Sequence, residues 1–509
     1  MSSAAERTVP PHPPTVPATL TREAAAAVDW HAIVIGAGPA GAAVAIRLAR
    51  AGRRVVLVDR GAMPRPKVCG SCLSPRAVAE LDALVPGGTG GWLAAAVALP
   101  VTAVRLVAGG RDARIAMAGG IVRSRESLDT ALVREAIAAG AHWLPQTPVA
   151  SIRRDSPRHD SPQHDSPQHD CPQHDGHRDA AADRRGAVDD GTAGGVIVGL
   201  GGSAHTATPP AATPPASAGQ RCGTLRAQVA VIAAGLADAI RIESDDDIAG
   251  GHVDDGGRSH GDRPPDRPPA HRTGRGRRVE ARSRIGVGAA LVGPVFAASG
   301  DELLAPAAGE LVMAVAAAGY CGLVTLEDGS VDLAAAVDRD LVARSGGPAG
   351  AVEAILAEAA GGHAAAGLMT AVEAATLRAT PPLTHTAPLV CGDGKIFRVG
   401  DAAGYVEPFT GEGIGWALAG ARLLAAALGG REPPAAAYAA AHAGLFSTAR
   451  RRVWRVARGV RHPRLVAGAV RLAGMAPWMA AQAVPLITGA TAAGRRIGPT
   501  GLVRGGDDC

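Results

Sequence analysis

"AIVIGAGPAGAAVAIRLA", residues 32–49, sets an apolar run directly against a turn punctuated by three glycines. Residues 31–36 read as a buried strand, 39–51 as a helix, and "RVVLVD" (54–59) as a second strand. Gly36 permits a tight turn, Gly38 lets backbone approach a ligand closely, and Gly41 lets helix and strand pack against each other. The helix start then offers unpaired N–H groups and a partial positive charge, which suits phosphate. Pro39 and Ala40 complete that surface. Asp59 closes the second strand 18 residues past Gly41, where its carboxylate can accept from ribose hydroxyls, and Arg60 follows it. A 2′-phosphate would be repelled there.

Working outward, a second turn of the same kind stands at "RVGDAAGYVEPFTGEGIG" (398–415). A strand at 395–400 leads into Gly400 and Asp401, and a helix is expected from about 411 to 428, opened by Gly411, Gly413 and Ile414. A nicotinamide dinucleotide needs one such turn. FAD is longer, so one turn holds the pyrophosphate and a second meets the ribityl chain and the ring. A helix N-terminus aimed at the ring would favour the charge that gathers there on reduction. Glu412 is expected to stabilise that N-terminus.

"GAGPAG", "VLVDR", "SRESLD" and "GDAAGYVEPFTGEGI" occur in an order and spacing that resembles the FAD-dependent oxidoreductases of the aromatic-ring hydroxylase superfamily. "PRPKVCGSCLSPRAVAEL" (64–81), with its Lys-x-Cys-Gly segment, is most similar to the geranylgeranyl-reductase-like branch. The resemblance implies an α/β fold: a Rossmann-like FAD-binding domain, a mixed or antiparallel sheet for substrate, and a C-terminal helical region. It also implies that Arg125 contacts the cofactor and that Pro408 through Gly413 line the flavin. The implied activity is hydride transfer between flavin and a hydrophobic prenyl, polyketide or quinone-like substrate. Flavin monooxygenation of an aromatic or polyketide is the alternative, and a non-catalytic flavin scaffold the second alternative. NAD(P)H or a protein electron donor would supply electrons.

The sequence also departs from that pattern. Ala234-Gly235-Leu236 stands where the family has an Asp-Gly pair associated with nicotinamide use. Only Tyr320 of a Tyr-x-Trp-x-Phe-Pro pattern is kept, and no Trp-x-Trp motif of flavin halogenases is present. On the substrate side the candidates are Cys69, Tyr320 and Phe409. Cys69 and Cys72 form a C-x-x-C without the context of a thioredoxin motif, so a loop beside the ring is expected rather than a redox disulfide.

In domain terms, 1–28 reads as a disordered tail and 29–430 as a discontinuous oxidoreductase domain. Its FAD part is roughly 29–154, 223–243 and 390–430; its substrate sheet is roughly 283–389. Polar inserts at 155–195, 201–222 and 244–282 are expected to be disordered, and 431–509 to be helical. The repeat "SPRHDSPQHDSPQHDCPQHD" (156–175) carries a Pro in every unit, so its His residues cannot share a helical face and no metal site is expected. A net charge of +5, with Lys only at 67 and 395 and sparse aromatics among the Arg, gives no nucleic-acid signature. Seven cysteines and no apolar leader point to a reducing, cytoplasmic setting. Peripheral membrane contact through 450–494 is the one further partner expected.

Overall fold

The computed structural model describes residues 13–85, 99–155, 194–201, 223–237, 239–243, 276–293, 295–296, 303–362, 366–391, 394–407 and 409–475. The pentapeptide repeat, Pro408 and the stretch after 475 lie outside them.

The first Gly-rich segment builds strand β1 (Asp29–Ile35), helix α1 (Pro39–Arg50) and strand β2 (Val55–Val58). β1 and β2 run parallel, with Ala32 opposite Val55 and Ile35 opposite Val58. The other edge of β1 takes β5 (Thr224–Ile232), also parallel, and β5 in turn takes β10 (Ile396–Arg398). These strands are buried on both faces, which explains why they read as unbroken apolar runs. Three parallel strand ends therefore lie side by side: β1, β5 and β10. Both Gly-rich turns leave from that carboxyl edge, the place where open α/β sheets bind ligands.

A second sheet has eight strands. Its centre is β6 (Ile285–Leu291), β7 (Glu310–Ala316), β8 (Gly319–Thr325) and β9 (Val331–Val337), spatially ordered β6-β9-β8-β7. The hairpin β3 (Leu99–Ala108) and β4 (Arg111–Val122) extends it, with β3 parallel to β7. Alternation along each strand divides the two faces. Val312, Ala314, Cys321, Leu323, Leu333 and Ala335 face helices 348–359 and 366–374. Met313, Val315, Tyr320 and Ala336 face the opposite way, toward Phe409 and the C-terminal region. That region contains α4 (Pro434–Gly459) and α5 (Pro463–Met475), which follow α3 (Gly413–Gly429). Helix α2 (Arg125–Ala138) packs beside α1 in the first layer.

Three expectations about organisation need correction. Residues 13–28 are not a loose tail: Val16 is buried, its N–H donates to the Met63 carbonyl at 3.0 Å, and Arg22 donates to Gln146 O at 2.6 Å. The indole of Trp143 donates to Val16 O at 3.3 Å. The end of the 244–282 insert is structured too, because Arg278–Val279 pairs with His385–Thr386. The hairpin 99–122, placed with the FAD part by position in the chain, joins the second sheet instead. Among the described residues, no helix is long and apolar enough to cross a membrane.

The insert expected at 155–195 begins and ends on paired strand residues, Asp155 and Gly195. Deletion should therefore be confined to 156–193 with a short glycine linker. Such a variant is expected to keep its flavin content and melting temperature, because the paired ends already sit side by side. Loss of either, read by visible absorbance and thermal melting, would show that the removed segment contributes to the fold.

Candidate functional site

At the first turn, Gly36 adopts φ +105° and donates its N–H to Val58 O at 2.7 Å. A β-carbon on Gly36 would lie 2.4 Å from Ala233 O, and one on Gly41 would lie 1.9 Å from Gly36 O. Only glycine fits either place. Pro39 occupies the first turn of α1 and no side chain caps that helix, so its N–H groups stay free for a ligand. Ala40 is buried in the same turn.

Asp59 stands at the end of β2 as expected, but protein donors already hold it. Its Oδ2 accepts from Ala37 N at 2.8 Å and from Arg65 Nη2 at 2.9 Å, and its Oδ1 accepts from Gly61 N at 2.9 Å. It organises the turn first, and a ribose would have to share it. Arg60 is exposed. Arg65, six residues on from Asp59, was not singled out from sequence, where an Arg in a Pro-rich loop carries no distinguishing signal.

At the second turn, Val399 N donates to Ile232 O at 3.0 Å and Gly400 adopts φ +62°. A β-carbon on Gly400 would come 2.8 Å from the Ala40 β-carbon. The two turns therefore touch, and a ligand long enough can bridge them. Asp401 follows Gly400, and burial pushes its carboxyl up while Lys67 and Arg125 pull it back toward the charged form. Gly411 is at φ +68°. Gly413 begins α3, two residues later than the sequence suggested, with Ile414 buried behind it. Glu412 is the residue before the helix, and its carboxyl makes no capping bond. Burial raises its pKa, partly offset by Arg76 and Arg452.

The loop 64–73 covers this cleft. Lys67 remains open to water yet is ringed by protein, as a side chain lining a cleft would be. Burial lowers its pKa, with Arg125 and Arg65 adding to the effect. Its Nζ lies 3.2 Å from where a β-carbon on Gly235 would stand, over the turn that lacks the family's Asp. Arg125 binds Asp129 through two bonds of 2.9 and 2.7 Å, and its Nη2 lies 3.6 Å from a β-carbon position on Gly38. Burial pulls the Arg125 pKa down, but Asp129 outweighs it and keeps the guanidinium charged. Arg125 thus stands at the phosphate-ready turn and Lys67 over the neighbouring Gly235 turn. Glycine cradles, free helix N–H groups and cations form a donor set that fits a dinucleotide diphosphate.

Cys69 and Cys72 are free thiols. Burial pushes both up, and Asp332 adds to this, so neither is poised as a thiolate nucleophile. Asp332, missed from sequence, lies on β9 on the same face as Tyr320, by the alternation Asp332, Ala334, Ala336. Its Oδ2 is buried without a partner among the described residues, and burial pushes its pKa to about 7. Nothing in a "DGSVDLAAAV" hairpin distinguishes it from an exposed strand acid.

Tyr320 and Phe409 meet edge to face, with ring centres 5.0 Å apart. The Tyr320 hydroxyl is buried and has no hydrogen-bond partner among the described residues. Arg284, fully buried on the sheet, lies 5.7 Å from the Tyr320 ring centre and donates to Glu407 Oε1 at 2.9 Å. Arg461 from the α4–α5 junction donates to Glu407 Oε2 at 3.1 Å and to Asp338 at 3.3 Å. This ring of charges fixes the loop that leads into α3. Sequence reading missed it because its members are more than fifty residues apart.

A family model described as an NAD(P)-binding Rossmann-like domain matches residues 34–81. The chain is 56% identical over 62 residues to the menaquinone reductase of Mycobacterium tuberculosis H37Rv, covering 12% of this chain and 14% of that protein. It is 34% identical over 132 residues to the geranylgeranyl diphosphate reductase of Rhodobacter capsulatus, 25% of this chain and 31% of that one. The matches thus span less than a third of these relatives' length. Among solved structures, a flavoprotein/dehydrogenase from Cytophaga hutchinsonii aligns with TM-score 0.58 at 14% identity, covering 91% of this chain and 93% of that one. The flavin-dependent brominase Bmp2 aligns with TM-score 0.57 at 15% identity, over 91% and 94%. The chain carries a Rossmann-like fold, shared in its overall architecture with these solved flavoproteins.

Two substitutions test the site's buried groups. Tyr320→Phe removes an unpartnered hydroxyl, so the melting temperature is expected to hold or rise; a fall equivalent to about 1 kcal/mol would show the hydroxyl is bonded. Asp332 binds its proton more tightly folded than unfolded, so between about pH 4 and pH 7 its contribution makes stability fall as pH rises. Asp332→Asn should therefore stabilise the protein more at pH 8 than at pH 4. Equal melting shifts at both pH values would contradict that.

Proposed function

We propose that this chain is an FAD-dependent, reductase-like oxidoreductase, moving a hydride between flavin and a hydrophobic substrate of prenyl, polyketide or quinone type. FAD, when bound, supplies the two-electron chemistry. The observation that carries the reading is the contact between the two glycine turns at Ala40 and Gly400, which makes one continuous cradle from two strand–turn–helix units. Lys67 and Arg125 would hold the diphosphate, and Asp401 the polyol between the turns.

The substrate would lie on the apolar face of the second sheet, against Met313, Val315, Tyr320 and Phe409. There the unpartnered Tyr320 hydroxyl can bond a single polar atom of an otherwise apolar molecule. The Arg284–Glu407 pair holds the intervening loop, and the surrounding apolar side chains exclude water. The names of the partial relatives, menaquinone reductase and geranylgeranyl diphosphate reductase, support a reductase acting on an isoprenoid-bearing molecule. A nicotinamide nucleotide is the proposed donor. The proposed setting is cytoplasmic with peripheral membrane contact, supported by Leu465, Leu472 and Met475, which α5 leaves exposed.

The purified protein is expected to be yellow, with FAD released on denaturation, and to bleach anaerobically with NADH or NADPH as well as with dithionite. Bleaching by dithionite alone would remove nicotinamide as donor. Oxygen consumed in step with product would replace the reductase reading by monooxygenation. A colourless protein that FAD does not restore would overturn the site.

A further inference from the structure

Helices α4 and α5 with their junction carry eight Arg and no Asp or Glu between residues 434 and 475. Where α4 crosses the small sheet of Arg278–Val279, His385–Thr386 and Gly404–Tyr405, a cavity of about 610 Å³ opens. Arg278, Arg450, Arg451 and Arg455 line it, with Glu280 the one acid on its wall and Trp454 at its side. A neighbouring cavity of about 720 Å³ shares Trp454, Glu280 and Val406, but there Arg282, Arg339, Arg458 and Arg461 are matched by Glu280, Asp338, Asp340 and Glu407. Charge is balanced in the second cavity and strongly positive in the first.

Arg450 is the deciding residue. Its guanidinium is half-buried, makes no hydrogen bond or ion pair among the described residues, and has its pKa lowered by burial alone. A partly desolvated guanidinium with no ion pair, beside three other cations, is favoured by an anion in the cavity, which would both pair it and offset their mutual repulsion. Its Nη1 reaches to 3.4 Å from where a β-carbon on Gly404 would stand, so that turn leaves it room. His385 and His442 stand nearby; burial first, then Arg277 with a smaller push from Arg450 for His385, and Arg450 for His442, hold each at about 4, so neither competes as a cation. Arg450 and Val406 also line a small third cavity with Asp401, Tyr405 and Gly413. Arg450 and Val406 therefore stand between the Arg-lined cavity and the second glycine turn.

We propose that this cavity is a nucleotide subsite: Arg278, Arg450, Arg451 and Arg455 take a diphosphate, and Trp454 stacks a base. The ligand class is the ADP-ribose end of a nicotinamide dinucleotide. Guanidinium forks match phosphate oxygens in pairs, and Trp454 is 37% exposed with the Arg458 guanidinium over one face of its ring at 4.5 Å, so the base would take the opposite face. The subsite deepens the reading of the preceding subsection, because it gives the electron donor a place that the missing Asp at Ala234 does not.

The test measures binding without turnover. ADP-ribose and inorganic pyrophosphate are titrated calorimetrically into purified protein of known flavin content, wild type, Arg450→Met and Arg451→Ser/Arg455→Ser. ADP-ribose is expected to bind more tightly than pyrophosphate, and each variant to weaken it at least about tenfold while visible flavin absorbance per chain stays unchanged. The double variant changes partly exposed side chains, so it keeps the test alive if Arg450→Met does not fold. No ADP-ribose binding to yellow wild-type protein overturns the subsite and leaves the flavin reading intact; a colourless protein that FAD does not restore and whose ADP-ribose binding is lost in Arg451→Ser/Arg455→Ser does the reverse. Equal affinity for bare pyrophosphate, or unchanged affinity in both variants, also overturns it. So does Arg451/Arg455-dependent sedimentation with phosphatidylglycerol vesicles in the absence of ADP-ribose binding, which would assign the cations to lipid headgroups.

Discussion

The contact between Gly400 and Ala40 is the constraint on which the rest of the structure depends. Two helix N-termini can serve one ligand only if their turns approach to van der Waals distance. Here a β-carbon on Gly400 would stand 2.8 Å from Ala40, and Gly400 needs φ +62°, so any other residue meets both a clash and backbone strain. The same logic acts one step back, where Gly36 passes Ala233 and Gly41 passes Gly36. Three parallel strands must end in register for these approaches to coincide. Ala233 N bonds to Ile35 O at 2.7 Å and Val399 N to Ile232 O at 3.0 Å, which couples the three ends by backbone alone.

A second constraint ties the second sheet to this cradle. Arg284 reaches from β6, Asp338 from the end of β9, Glu407 from the loop before α3 and Arg461 from the α4–α5 junction. Each carboxylate meets both guanidinium groups. Burial raises the Glu407 pKa, and Arg284 and Arg461 oppose that rise, so the ring holds together as a unit rather than as separate pairs. Such a network adds little net stability over apolar packing, but removing one member strands a buried charge at about 3–5 kcal/mol. Its structural effect is to fix the position of Phe409 against Tyr320.

The parts legible in the sequence were those set by local chemistry. Gly36, Gly41 and Gly400 announce their turns because a β-carbon would clash there, Gly411 because its φ of +68° favours glycine, and the apolar runs at 32–35 and 229–232 announce parallel strands. Alternation identified the 283–340 sheet. What stayed hidden depends on contacts distant in the chain. The hairpin 99–122 joins β7 across some two hundred residues, and nothing local says so. Residues 13–28 pack because Trp143 and Met63 receive them, a fact their Pro-rich composition conceals. Asp332 and Arg65 look like ordinary surface residues until the fold encloses them. Asp59 was read for its ligand and is first of all the clasp of its own turn.

The hidden residues share a physical property that locates function better than motif does. In a folded chain most enclosed charges are answered within the protein, as Arg125 is by Asp129 and Arg284 by Glu407. Lys67 over the Gly235 turn, the unpartnered oxygen of Asp332, the Tyr320 hydroxyl and the Arg450 guanidinium are answered incompletely or by nothing described. They fall in three places: the cradle between the glycine turns, the apolar face of the second sheet, and the cavity beneath α4. Each place lacks a different partner, respectively an anion, a small polar atom and a second anion. The proposed flavin, apolar substrate and anionic electron donor are three molecules whose chemistries answer those three gaps, one to each place.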